Sequence, residues 1–112
     1  MKANTTKEYP YTGQYFGYTF VTSEDQTVTE RVYNTYFTNV NMSLSVNLLG
    51  ELVIDSSTKM QIDGHIENLL DRNEEEIYTG GVWQITQTAP ILGPHGVKGG
   101  YRYRARLIEG AI

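Results

Sequence analysis

The chain has 112 residues, no cysteine and a formal net charge of −4. That length holds one core rather than two. The missing cysteines exclude disulfides and thiolate chemistry, and fit a reducing cytoplasm or assembly on partners. The mild acidity speaks against general nucleic-acid binding. The first residues, Met1 to Lys7, are polar and lack an apolar signal core. No apolar run approaches the roughly 20 residues of a membrane helix. The expectation is a single domain over residues 1–112, with a polar, frayed N-terminus at about 1–8.

The stretch Tyr9 to Val21 is aromatic and punctuated by glycine. Phe16, Tyr18 and Phe20 share one parity, as a half-buried strand requires. Pro10 and Gly13 point to an arm or edge for its first part, with Tyr11 and Tyr15 as candidate contact residues. Such an arm would suit strand addition to a neighbour's sheet. Ser23 to Gln26 is a turn by composition.

Thr27 to Leu49 carries the clearest alternation. Val28, Val32, Tyr36, Val40, Met42, Leu44, Val46 and Leu48 fall on even positions, the period of a strand with one buried face. The stretch is too long for one strand, which places a break near residues 39–41. Gly50-Glu51 turns into a strand at 52–54, and residues 55–58 turn into another at 59–62, a meander. From His65 to Glu76, Ile66, Leu69 and Leu70 at i, i+3 and i+4 predict one short helix. The acidic residues that end it read as a solvated face, because spaced metal ligands are missing.

Trp83 and Ile85 alternate with Val82, Gln84 and Thr86, and are expected to face the core. The last strand places Tyr101, Tyr103, Ala105 and Leu107 on one side and Arg102, Arg104 and Arg106 on the other. These arginines form a ladder roughly 13 Å long at ~3.3 Å rise per residue. One reading is a solvated face paired with acids of the neighbouring strand. The other is a docking face for an acidic partner, since arginine binds carboxylates bidentately and is enriched at interfaces. The loop from Gly93 through His95 to Lys98 and Gly100 is glycine-rich. It shares glycines and a lysine with a phosphate loop, but it lacks that motif and precedes a strand, so it reads as a hairpin loop. Loops of this kind often order on docking.

No catalytic pattern is present. His65 and His95 lack the spacing of a metal-ligand pair, and no serine sits in a nucleophile elbow. Asp55, Asp63 and Glu51 lie at turns, where acids serve turn chemistry. A two-carboxylate hydrolase would need Asp55 or Asp63 in a cleft. The nine tyrosines suit half-buried strands and interfaces. The expected fold is all-β, a small barrel or sandwich with one short helix, binding no cofactor and no metal.

The segment from Ile77-Tyr-Thr-Gly-Gly-Val-Trp-Gln-Ile85 to Tyr101-Arg-Tyr-Arg-Ala-Arg-Leu-Ile108 resembles the neck proteins of tailed bacteriophages, the head-closure and head–tail connector family. The resemblance covers residues 77–108. It implies a small β-barrel-like, non-enzymatic virion protein that assembles as a homo-oligomeric ring between portal and tail, beside neighbouring virion proteins. It would be found in the virion, and in the host cytoplasm during assembly. It carries over residues 93–100 and 101–107 as interface candidates. The alternating stretch at 27–49 has no counterpart in it. The competing expectation is a small-ligand or carbohydrate-binding module, which would need Trp83 exposed beside tyrosines in a groove.

Overall fold

The computed structural model describes residues 9–77, 81–92 and 98–109, with side chains over 9–77, 81–90 and 100–108. Eight strands follow in chain order: β1 Tyr11–Phe16, β2 Tyr18–Thr22, β3 Thr29–Tyr33, β4 Thr38–Val46, β5 Leu52–Ser56, β6 His65–Leu70, β7 Val82–Leu92 and β8 Lys98–Glu109. Six of them close a barrel in the order β1-β4-β5-β8-β7-β6, and β2 and β3 form a separate two-stranded ribbon. All neighbours are antiparallel. Of barrel and sandwich, the chain adopts the barrel, which removes the free edges that an open sheet would carry.

The interior follows from strand parity. Val40 and Met42 on β4, Leu52 and Ile54 on β5, Ile66 and Leu69 on β6, Trp83 and Ile85 on β7, and Tyr103 and Ala105 on β8 are buried together. Trp83 and Ile85 face the core as their alternation requires, and β8 splits into an inner tyrosine face and an outer arginine face as read. Gly13 on β1 is buried, and a Cβ there would meet Leu69 Cδ2 at 2.9 Å, Met42 Cε at 3.0 Å and Ile66 Cγ2 at 3.2 Å. The barrel is narrow enough that these side chains fill the space of the missing one.

The predicted helix is not formed; residues 65–70 are strand β6. Between Thr12 and Leu70, and Gln14 and Glu67, the register slips by one residue, and Asn68 carries a left-handed φ of 49°. Asparagine tolerates that conformation. The bulge holds one extra residue, so Ile66 and Leu69 both point inward although three residues apart. A bulged strand thereby mimics helical spacing.

β1 is an internal barrel strand rather than an arm, paired with β4 on one side and β6 on the other. Pro10 precedes its first residue, where a missing N–H leaves the ladder intact. The break in the long alternating stretch falls at residues 34–37, not 39–41. Asn39 and Asn41 lie within β4, on its outward parity, either side of the buried Val40. Residues 59–62 form no strand. They belong to a connection from β5 to β6, strands that are not neighbours in the barrel. There Met60 is buried, and its N–H donates to the Tyr103 hydroxyl at 2.8 Å. Tyr103 in turn donates to the Thr58 carbonyl at 2.9 Å. The crossing segment is thus pinned to the core by one phenol.

Candidate interaction surface

The ribbon stands outside the barrel and is held by its base. Tyr18 donates to the Ile62 carbonyl and Tyr33 to the Asp63 carbonyl, each at 2.8 Å. Gln61 bridges Tyr18, accepting from its N–H at 2.8 Å and donating to its carbonyl at 3.1 Å. Arg31 pairs with Asp63 at 3.0 Å and lies 4.6 Å over the Tyr18 ring. Tyr33 stacks on His65 with ring centroids 4.0 Å apart. Beyond this base the ribbon is bare. Phe20 is 62% exposed, and Val21, Val28 and Val32 are also exposed, as are Tyr36 and Phe37 on the return to β4. The even residues Val28 and Val32 therefore carry their alternation onto a surface ribbon, and Tyr36 onto the exposed return to β4, not into the core.

At the ribbon tip, Asp25 Oδ1 accepts from the Ser23 hydroxyl at 2.6 Å and from the hydroxyl and N–H of Thr27 at 2.8 and 3.2 Å. Chiefly the Ser23 hydrogen bond, then those of Thr27, pull the Asp25 carboxyl from 3.8 down to about 2. The value in the folded chain lies below that of the unfolded chain, so the turn is stabilised fully above pH 3.8 and loses that support as pH falls through about 2. An NMR titration of the Asp25 carboxyl carbon is expected to give a midpoint near 2; a midpoint near 3.8 would show that the turn is not formed in solution.

The arginine ladder lies on the outer face of β8. Arg102 faces Asp55 across the β5–β8 pair and binds it bidentately, Nε to Oδ1 at 2.8 Å and Nη2 to Oδ2 at 3.0 Å. Arg104 is flanked by Val53 and Gln87. Arg106 reaches Gln84, at 3.5 Å. Among the described residues neither Arg104 nor Arg106 meets a carboxylate within ion-pair distance. The ladder thus divides: Arg102 is paired with the neighbouring strand, while Arg104 and Arg106 offer their charge to solvent.

The other candidates separate. Tyr101 is half-buried beside Tyr103. Tyr103 is wholly inside the barrel and presents no surface to a neighbour, as its inward parity on β8 requires. Tyr11 and Tyr15 lie partly buried against the core, and burial raises the Tyr15 hydroxyl above its usual 10.0. Lys98 opens β8, with its side chain outside the described part. Gly93 and His95 lie outside the described residues. Sequence reading missed the ribbon. The nearest signal was the turn at 23–26 between two β-rich runs, which marks a hairpin.

Trp83 is 6% exposed, so the open aromatic groove that a sugar-stacking module would need is not built on it. Asp55 and Asp63 are engaged by Arg102 and Arg31. No group of three His, Cys, Asp or Glu residues able to hold a metal ion occurs among the described residues. Comparisons of the chain with family models, with curated proteins and with solved structures find no match.

Proposed function

We propose that this protein is a non-enzymatic structural subunit that works by associating with copies of itself. The observation that carries the reading is the β2–β3 ribbon. A two-stranded hairpin is at best marginal in water when alone, and this one exposes Phe20, Val21, Val28 and Val32. Val21, Val28 and Val32 share one of its faces and Phe20 lies on the other, and exposed apolar surface of this kind marks interaction sites. Leu48 and Leu49, exposed in the β4–β5 turn, form a separate apolar patch beyond the far end of β4. The resemblance of residues 77–108 to phage neck proteins supplies the setting: a ring subunit at the head–tail junction, contacting neighbouring virion proteins, made in the host cytoplasm and carried in the virion. Light scattering of the purified full chain across a concentration series tests the reading. A mass that rises from one chain toward a closed multiple is expected. A constant monomer mass would overturn it.

A further inference from the structure

The exposed part of the ribbon is acidic, and the outer face of β8 is basic. Around the closed barrel, β8 is three strands from β1 and two from β6, with His65, Gln84 and Arg106 in register across β6, β7 and β8. The ribbon follows β1 in the chain and leans on residues 61–65, where β6, the other neighbour of β1, begins. On the ribbon, Glu24, Asp25 and Glu30 are exposed. Arg31 is its one cation, and it is taken by Asp63. On β8, Arg104 and Arg106 lack a carboxylate partner among the described residues. Within one copy, no ribbon carboxylate lies within ion-pair distance of Arg104 or Arg106 among the described residues.

We infer that the ribbon of one copy docks on the Arg104–Arg106 face of the next, a head-to-tail contact between copies of this chain. The inference rests on the self-association proposed above and names its two surfaces. The chemistry of the faces matches beyond net sign. On the ribbon, Glu30 pairs across from Val21, and Val21, Ser23, Val28 and Glu30 line one shallow groove. A carboxylate among valines suits arginine, whose aliphatic stem covers apolar surface while its planar fork binds the carboxylate. On the outer face of β7 and β8, Arg102, Arg104, Gln87, Thr88 and Ala89 line a second shallow groove. Two different patches on one chain make a heterologous contact, which repeats into a ring when the rotation closes and into a filament when it does not. Because the charges are exposed, salt weakens the contact.

Charge reversal tests the pairing. Three full-length proteins are compared by sedimentation velocity, each checked for wild-type circular dichroism: wild type, Arg104→Glu/Arg106→Glu, and Glu24→Lys/Glu30→Lys. The wild type is expected to associate. Each double variant alone is expected to associate on the order of a hundredfold more weakly, because like charges then face each other. An equimolar mixture of the two variants restores assembly, since every contact in an alternating array is again between opposite charges. If wild type associates and both variants do so equally well, this pairing is overturned while self-association stands. Loss in each variant without rescue on mixing also overturns the pairing. A wild type that stays monomeric overturns both.

Discussion

Tyr103→Ala is expected to remove a large part of the chain's stability. Tyr103 is fully buried, and truncating a large core aromatic costs about 3–5 kcal/mol. The phenol also holds the β5–β6 crossing, accepting from the Met60 N–H and donating to the Thr58 carbonyl. A domain of this size has about 5–15 kcal/mol to lose. Tyr103→Phe separates the two contributions. It keeps the ring and removes only the hydroxyl, leaving a buried donor and a carbonyl without their partner, at a cost of about 1–3 kcal/mol. Burial raises the Tyr103 hydroxyl above its usual 10.0. A raised value in the folded chain means stability that is whole below pH 10 and lost as pH climbs through the folded value. The phenylalanine variant should therefore show a shallower alkaline decline than the wild type. Urea melts at neutral and alkaline pH check both statements. A Tyr103→Phe loss below ~0.5 kcal/mol would contradict the pinning role.

Gly100→Ala is expected to be the most damaging of the glycine substitutions. Gly100 is buried in β8 with φ of 140°, a conformation that side-chain-bearing residues reach only with strain of about 1–3 kcal/mol. A Cβ there would stand 2.9 Å from the Ser56 carbonyl oxygen and 3.3 Å from the Tyr9 hydroxyl. The first contact is backbone, so it yields only by prying β5 from β8 at the Ser56–Tyr101 pair. Overpacking of this kind adds about 1–3 kcal/mol. Gly50→Ala is the control. Its φ is 78°, but a Cβ there meets nothing within 4 Å, so backbone strain acts alone, at about 1 kcal/mol. Thermal melts of the two variants, with amide exchange at Ser56 and Tyr101, decide the matter. A Gly100→Ala loss no greater than that of Gly50→Ala would show that the β5–β8 contact is looser than described.

Much of the barrel was legible because its strands keep strict parity where they bury one face. Trp83–Ile85, Tyr103–Ala105 and Val40–Met42 each point inward as alternation demands. The errors arose where backbone irregularity breaks parity. At Asn68 a single bulge turned a strand into an apparent helical face, and no period count separates the two. At residues 28–36 alternation persisted in a ribbon that the barrel does not cover, because the same β-branched pattern serves a core and an interface. Pro10 and Gly13 marked β1 as an edge by residue type. Closure overrode that: the proline lies just before the ladder and the glycine fills a packing role. Of the candidate surface, the arginine face was readable from β8 alone. That Asp55 neutralises Arg102, while Arg104 and Arg106 meet no acid among the described residues, depends on the β5–β8 register, which is non-local.

The central claim is self-association through the exposed ribbon, and its most direct measurement is the solution mass of the full-length protein by multi-angle light scattering, at low and high salt over a wide concentration range. The account predicts a mass that grows with concentration to a defined multiple at low salt and falls back toward one chain as salt rises. A single-chain mass at every concentration and salt would contradict it.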